Sequence, residues 1–547
     1  MISTFLGKLD GWGARFEARI EQHPRWYLFL FSLLYFSITL PVAVVRELWF
    51  DEFITLYVLR FHRLSQLWTT LKAGVDLNPP LYHFIVRGSE ELLGENAVGL
   101  RLPSVVAYWA MAVALFLVVR RRTNNLYGIA AASLPFITAT YAYSFEARPY
   151  AIVLACCPFA FLFWQCAIDN VRRKLALAGL ALTLAIAVTN HYYGVLLILP
   201  LAIGELVRTA TRKKIDWAVW TALAVSVVPL VALLPIIRPG MAVHKADYVH
   251  LWNKTEVTFL WESYKEILGI AGLPMLALLG WFAVCCTSDF RRPEDERHVI
   301  PGHELAAGFT LAGLPILAYL LAISYVGMVA WRYVLPTAVG CAIMVAFTFY
   351  RASCARPAAG LLLVLVLLGW SVVHIGLVAR EEVVARNRYE ARDTALLVRN
   401  LNLPIVVQDG ILALPMDHYL APDLRQRMLF PVDLKAVRYY QEADTPERIM
   451  VIGKNTFPVP MEDFEQFRRD HKEYLVYGLH AGWLISTVIR DGGKAYMLDR
   501  GKWQILFLIK EKTGGDTRVA KSMVQSSPLD SRARATTAST ARLVNHP

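Results

Sequence analysis

Two adjacent carboxylates, Asp51 and Glu52, closely follow the first long apolar run of the chain, within RELWFDEFITLYVLR (residues 46–60). A charge near hydrocarbon is costly, so an ionisable residue at this depth usually marks a site or a pathway. A carboxylate that is held in place can act as a general base. Asp is also a favoured N-cap, and these residues alone leave open whether Asp51 is a base or begins a helix.

Other ionisable side chains stand near the ends of later apolar runs. Arginine can bind a phosphate through two parallel hydrogen bonds, whereas lysine offers a point charge. The cations among these residues therefore suit a substrate that contains phosphate. The ionisable residues near run ends include Asp76, Glu146, Arg148, His191, His244, Lys245 and Arg332.

The elements that must position these residues are membrane-spanning helices. The 547 residues are 56% hydrophobic and 18% charged, with a mean hydropathy of +0.41, whereas soluble domains carry about 25% charge. Runs of about 17–25 apolar residues can cross a bilayer. We predict a polytopic α-helical membrane protein with about eleven spans, at 26–45, 102–119, 126–143, 149–168, 175–190, 194–207, 217–236, 267–287, 304–323, 334–350 and 358–378.

Short basic loops predict the orientation of the chain. Most of the short-loop positive charge belongs to RRR at 120–122, RRK at 172–174, RTATRKK at 208–214 and RRPEDER at 291–297, which places these loops in the cytoplasm. Topology thereby explains the net charge of +12, and nucleic acid is not an expected partner. The N-terminus is then cytoplasmic, the C-terminal part is extracytoplasmic, and the ionisable residues at the run ends share the outer side.

Two hydrophilic segments are expected to fold. In the first outer loop, 46–101, residues 55–72 have the periodicity of a helix lying on the membrane, and a second short helix follows the break at DLNPP. Residues 381–511 alternate short β-rich runs with helical segments, which predicts an extracytoplasmic α/β domain. This domain contains none of the seven cysteines, so we expect it to fold without disulfides.

The remaining boundaries follow from these assignments. Residues 1–380 form the predicted transmembrane module, and its first span is expected to be an uncleaved anchor because a long amphipathic segment precedes it. Residues 512–547 are rich in Ser, Thr, Arg and Gly and are predicted to be disordered.

Several motifs on the outer side together resemble a known family. They are LWFDEF, DLNPPLYHFIVR, GLRLPSVV, EARPYAIVLA, HYYG and WRYVLP, and the likeness covers about residues 20–350. Their order and spacing resemble bacterial GT-C membrane glycosyltransferases, in particular glycosyltransferase family 39, of the protein O-mannosyltransferase type, and the lipid A aminoarabinose transferases. The resemblance implies an inverting sugar transfer from a polyprenyl-phosphate donor at the outer face of the bacterial inner membrane. Aminoarabinose transferases commonly have an acidic–Lys pair before the two prolines, whereas this chain has Leu77 and Asn78, which disfavours an aminoarabinose donor and a lipid A acceptor.

The resemblance also implies roles for individual residues. It makes Asp51 the general base and assigns Arg332, in WRYVLP, to the donor phosphate. Charge and position favour donor phosphate or sugar binding by Arg148, Lys245, His191, Glu52 and Glu146. Acceptor binding or loop positioning is expected of Asp76, Asn78, Pro79, Pro80 and His83.

Structural alternatives stay open for most of these residues. Glu146 and Arg148 could simply pair with each other, the DLNPP polar residues could reflect turn chemistry, and His83 could be interfacial. Glu52 could hold an arginine, and His191 could be structural.

No cofactor is expected, because no recognised metal-ligand motif is present and the relatives are generally metal-independent; a divalent-metal requirement remains open. The expected partners are the bilayer, the lipid-linked sugar and an envelope glycan, lipid or protein acceptor. The alternative function is a transporter or lipid flippase with a soluble extracytoplasmic domain, and a third is an assembly scaffold. The absence of an internal repeat and the placement of charges at one surface favour the enzyme.

Overall fold

A computed structural model describes residues 2–61, 63–245, 255–272, 300–385, 402–441, 443–500 and 504–512. The chain divides into two compact units. The first, called the membrane unit below, contains the described residues up to 46, from 77 to 238 and from 255 to 384. The second, called the α/β unit, contains residues 47–76, the described residues 239–245 and the described part of the C-terminal region.

The membrane unit is helical. Among the described residues, seven helices are long and apolar enough to cross a membrane, or eight if a pair bent by 60°, Gly302–Ala312 with Leu314–Tyr325, counts as one. Its α-helices are α1 Ile2–Gln22, α2 Pro24–Val45, α5 Pro80–Leu93, α6 Ala97–Arg120, α7 Asn125–Ser133, α8 Tyr150–Ile168, α9 Arg173–Asn190, α10 Ile198–Arg212, α11 Trp217–Val225, α12 Val228–Lys245, α13 Phe259–Leu268, α14 Gly302–Ala312, α15 Leu314–Leu321, α16 Thr337–Ala352 and α17 Pro357–Ala385, the last residues of α12 lying beyond the unit.

Ten of the eleven predicted spans coincide with these helices, and most of the remaining one, 267–287, lies outside the described residues. The third span departs from a regular helix at Pro135, where α7 gives way to a 3₁₀ turn over Leu134–Ile137. Proline lacks the backbone donor that a continuing α-helix needs. The total number of spans stays a prediction.

Small residues allow the helices of the membrane unit to pack closely. At Gly340 in α16, a Cβ would overlap the backbone of Leu311 and Ala312 in α14. At Gly128 in α7, a Cβ would be 2.8 Å from the Phe116 ring. Close approach of this kind is how helices associate in lipid, where the hydrophobic effect contributes little.

The basic residues predicted to set the topology also form buried ion pairs. Arg122 Nε donates to Glu304 Oε1 at 2.7 Å, and Glu304 is fully buried. Arg208 Nη1 donates to Glu205 Oε1 at 2.7 Å, and Glu205 also accepts from the Trp164 indole at 3.1 Å. A buried carboxylate needs such partners to offset its desolvation. These arginines therefore join helix ends as well as carrying loop charge.

The α/β unit is built on a six-stranded sheet of order β3-β2-β1-β4-β6-β5. The pairs β3–β2, β2–β1 and β1–β4 are parallel, whereas β4–β6 and β6–β5 are antiparallel. Its elements are α3 Phe50–Leu59, α4 Leu64–Ala73, β1 Ile405–Val407, α18 Gly410–Tyr419, α19 Pro422–Arg425, β2 Met428–Val432, α20 Leu434–Tyr440, α21 Thr445–Ile452, β3 Met461–Asp463, α22 Phe464–Asp470, β4 Glu473–Gly478, α23 Trp483–Arg490, β5 Lys494–Arg500 and β6 Ile505–Lys510. The α/β fold predicted for the C-terminal region is confirmed.

The first outer loop differs from the prediction in two respects. The single helix predicted over 55–72 is two helices, α3 and α4, separated at residues 60–63. In addition, α3 does not lie on a membrane with an exposed face, because Phe53, Tyr57 and Val58 are all buried and α3 packs against α18. Only α4 keeps the amphipathic character, with Leu67 buried and Leu64 61% exposed.

A buried glutamate in this unit predicts a pH-dependent stability. Burial raises the pKa of Glu447 to about 7 from an ordinary value of 4.5, although Glu447 Oε1 accepts the Gly410 N–H at 2.9 Å. Because the pKa of Glu447 is raised in the folded protein, its contribution to stability is fully present below about pH 4.5. This contribution is lost as the pH rises to about 7, and the total loss is roughly 3 kcal/mol. We expect Glu447→Gln to lose less stability than the wild type between pH 5 and 8.

Thermal unfolding of the purified full chain in detergent, measured across this range, checks the prediction. Glu462→Gln is the matched control, because Glu462 is exposed. If the unfolding temperatures of the wild type and Glu447→Gln change equally with pH, the prediction is wrong.

Candidate functional site

The two carboxylates that open the first outer loop have different positions in α3. The N-cap of this helix is Trp49, so the alternative that Asp51 is the N-cap is wrong. Glu52 is fully buried, and its Oε2 accepts the backbone N–H of the N-cap residue Trp49 at 3.3 Å. Asp51 is partly exposed, and both acids lie in the first helical turn, where the helix dipole favours negative charge. Glu52 thus has a structural role that the sequence reasoning missed.

The residues of the DLNPP turn divide between the two units. Asp76 is buried in the α/β unit, and Asn78 is buried in the membrane unit. Pro79 is the N-cap of α5, in extended conformation, and Pro80 is its first residue, a position at which proline is favoured because the helix leaves that N–H without a partner. On the same helix, His83 is buried inside the protein rather than exposed at a membrane surface.

In the membrane unit, Glu146 pairs with an arginine that sequence reasoning did not select. Arg46 Nη1 lies 3.8 Å from Glu146 Oε2, and Arg46 Nε lies 3.6 Å from Glu382 Oε1. The same guanidinium stands over the Phe145 ring at 5.5 Å. Arg148 is also buried, and its N–H donates to the Glu146 carbonyl at 2.8 Å. These contacts join the C-terminal end of α2 to the segment that precedes α8.

His191 stands among tyrosines. Its ring centroid is 5.4 Å from that of Tyr150 and 5.0 Å from that of Tyr333. The Tyr193 N–H donates to His191 Nδ1 at 3.2 Å, so a neutral His191 carries its proton on Nε2. The Tyr193 ring lies 4.9 Å from the Tyr333 ring, between centroids, at a tilt of 32°, and the Tyr193 hydroxyl donates to the Met328 carbonyl. We call Tyr143, Tyr150, Tyr193 and Tyr333 the tyrosine cluster.

The tyrosine cluster links Arg332 to Glu146. Tyr143 lies 5.0 Å from Tyr150 and 6.1 Å from Trp331, between ring centroids. Its hydroxyl interacts electrostatically with Glu146 and Arg332, and with Arg46. The structure therefore brings three of the predicted donor-binding residues, Glu146, His191 and Arg332, around one set of aromatic rings.

Arg101 is a second arginine that sequence reasoning missed. It is fully buried, and its Nη1 donates to the carbonyls of Ala43 and Arg46, each at 2.7 Å. The last carbonyls of a helix have no partner within it, so Arg101 secures the end of α2 just before the first outer loop. The available signal was its place in GLRLPSVV, an arginine within an apolar stretch.

The structure gives less information about the predicted roles of Lys245 and of a metal ion. Lys245 is the last residue of α12, and its side chain lies outside the described part of the structure. Within the described residues, no group of three or more His, Cys, Asp or Glu side chains could hold a metal ion.

The chain is similar to known glycosyltransferases in sequence and fold. Residues 77–237 match the family model of dolichyl-phosphate-mannose-protein mannosyltransferase, while no curated protein sequence matches the chain. The structure is similar to ArnT from Cupriavidus metallidurans bound to undecaprenyl phosphate, with a TM-score of 0.53 and 14% identity over 88% of this chain and 98% of that one. It is similar to the apo state of ArnT from the same organism, with a TM-score of 0.51 and 13% identity over 87% and 97%.

At 13–14% identity, the structural similarity is evidence of a shared fold only. The predicted fold class, a polytopic α-helical protein of GT-C type with a C-terminal α/β sheet region, is confirmed. The predicted resemblance to GT-C glycosyltransferases is confirmed as well.

Proposed function

Since the chain resembles the GT-C glycosyltransferases in sequence and fold, we propose that it transfers a sugar, with inversion, from a polyprenyl-phosphate donor to an envelope acceptor at the outer face of the inner membrane. The observation that carries this proposal is the set of Glu146, His191 and Arg332 around the tyrosine cluster, within a fold of this family. A similar structure bound to undecaprenyl phosphate supports a lipid-phosphate donor.

The proposed reaction is a single displacement. The acceptor oxygen bonds to the anomeric carbon of the sugar as the bond from that carbon to the phosphate oxygen breaks. The electron pair of the broken bond leaves with polyprenyl phosphate, and the acceptor proton passes to the Asp51 carboxylate. The partial exposure of Asp51 suits this role, because a base must be accessible to its substrate.

Arg332 and His191 stabilise the leaving group. Negative charge grows on the phosphate as the bond breaks, and groups already aimed at that charge lower the barrier. Arg332 provides the fixed positive charge, and the Nε2–H of His191 provides a hydrogen-bond donor. The rings of Tyr150 and Tyr333 in the tyrosine cluster hold His191 in place.

A panel of lipid-linked sugars tests the function. The full chain, purified and placed in lipid nanodiscs, is incubated with undecaprenyl-phosphate hexoses, pentoses and amino sugars and with envelope lipid, glycan and protein acceptors. We expect at least one pair to give glycosylated acceptor and free undecaprenyl phosphate in equal amounts. If every donor stays intact while the same protein in vesicles moves lipid-linked sugars between leaflets, the chain is a flippase and the proposal is wrong.

A further inference from the structure

The helix that carries Asp51 is held by three consecutive residues of the C-terminal region. These residues, Asp417, His418 and Tyr419, end α18 and lie within the same unit as α3. The Leu48 N–H donates to Tyr419 Oη at 2.7 Å, across 371 residues of sequence. Asp51 follows Leu48 by three positions, so this hydrogen bond fixes the backbone immediately before the base.

The remaining contacts continue along α3. The fully buried Phe53 ring lies 5.0 Å from the His418 ring and 6.0 Å from the Tyr419 ring, between centroids. At the end of the helix, the Tyr57 hydroxyl interacts electrostatically with the Asp417 carboxyl group. Asp51 therefore sits between anchored positions on both sides, and a small shift in either anchor would move its carboxylate.

The other end of α18 is fixed to the centre of the sheet. The Gly410 N–H, at the start of this helix, donates to the buried Glu447 at 2.9 Å. The preceding residue, Asp409, accepts the Leu479 N–H at 2.7 Å, which ties β1 to the end of β4. At Gly478 a Cβ would be 2.5 Å from the Gln408 side chain and 2.8 Å from that of Asp409, so the end of β4 packs closely on the residues that follow β1. Helix α18 thus connects the sheet to α3 through contacts at both of its ends.

We propose that the C-terminal α/β region sets the orientation of the catalytic helix, with Tyr419 as the positioning residue for Asp51. The inference rests on the proposed function for the role of Asp51. It gives the C-terminal region a part in catalysis without a ligand of its own. A general base misplaced by a fraction of an ångström loses rate without losing substrate affinity.

Tyr419→Phe tests the inference, because it removes only the hydroxyl that accepts the Leu48 N–H. Loss of one such hydrogen bond corresponds to about a three- to tenfold effect. We expect kcat to fall by that factor with an unchanged KM for the lipid donor, and amide exchange over residues 47–59 to become faster. The unfolding temperature and exchange elsewhere should stay close to those of the wild type. Tyr439→Phe is the matched control, since Tyr439 is 77% exposed.

A second variant and the exchange readout separate the possible failures. Tyr57→Phe, which removes the hydroxyl that interacts with Asp417 at the other end of α3, should give the same kcat loss and faster exchange in the same segment. If both variants keep wild-type kcat and exchange while Asp51→Asn is inactive, the positioning role is wrong and the proposed function stands. If the wild type turns over no lipid-linked sugar, the proposed function fails, and exchange over 47–59 alone decides whether Tyr419 holds this helix.

Discussion

The Asp51→Asn variant is expected to lower kcat for sugar transfer by about 10²–10⁴-fold, the contribution typical of a positioned general base. The asparagine side chain has nearly the same size and can still accept a hydrogen bond, but it cannot take the acceptor proton. KM for the lipid-linked donor should change little, because the donor phosphate is bound by other residues. Steady-state release of polyprenyl phosphate, with the donor and acceptor pair found in the panel, measures both constants.

The position of Asp51 in α3 makes this variant informative. Asp51 is not the N-cap residue, so the substitution leaves the hydrogen bond from the Trp49 N–H to the Glu52 carboxylate intact. Asp423→Asn is a suitable control, since Asp423 is an exposed carboxylate in the same unit. Wild-type kcat in Asp51→Asn would remove Asp51 as the base, whereas an equal loss in Asp423→Asn would point to a general effect on the protein.

The helices of the membrane unit could be predicted because hydrocarbon imposes a simple rule. Every backbone polar group in lipid needs an internal partner, so a long apolar run folds as a helix whatever its neighbours are. The 3₁₀ turn at Pro135 has an equally local cause, since the missing N–H acts on its own turn. These features depend on a few adjacent residues, which is the information that a single sequence carries.

The burial of α3 could not be predicted in this way. A periodic apolar face indicates that this side of the helix is buried, but the sequence pattern is the same whether it is buried against lipid or against protein. For Phe53 the cover is His418 and Tyr419, more than 360 positions away. The break between α3 and α4 has the same origin, because α3 packs on α18 while α4 has Leu64 and Trp68 exposed.

The candidate site was predictable in its residue types but not in its pairings. Glu146, His191 and Arg332 were selected because they stand at the ends of apolar runs, and the structure brings them around one set of tyrosines. The partners that hold them, Arg46 for Glu146 and Tyr333 for His191, come from distant segments. Ion pairs and ring contacts leave no local pattern, so these residues were found only in three dimensions.

The second large effect is expected at Arg332. Charge-assisted hydrogen bonds contribute about 1.5–3 kcal/mol each, so Arg332→Ala should weaken binding of undecaprenyl phosphate by about 10- to 100-fold and lower kcat/KM at least as much. Arg332→Lys keeps the charge but loses the planar fork, so its affinity should lie between those of the wild type and Arg332→Ala. Equilibrium binding of undecaprenyl phosphate to the protein in nanodiscs measures this without requiring turnover.

The pair of Arg332 variants also distinguishes how the phosphate is held. If Arg332→Lys binds undecaprenyl phosphate with wild-type affinity, the site recognises only the positive charge. If Arg332→Lys loses as much affinity as Arg332→Ala, two parallel hydrogen bonds from the arginine are required. Arg212→Ala serves as the control, because Arg212 is an exposed arginine at the end of α10 in a loop predicted to face the opposite side. If Arg332→Ala binds undecaprenyl phosphate as tightly as Arg212→Ala, Arg332 is not the phosphate ligand. In that case Arg148 and His191 become the residues to replace next, since both are buried and carry hydrogen-bond donors.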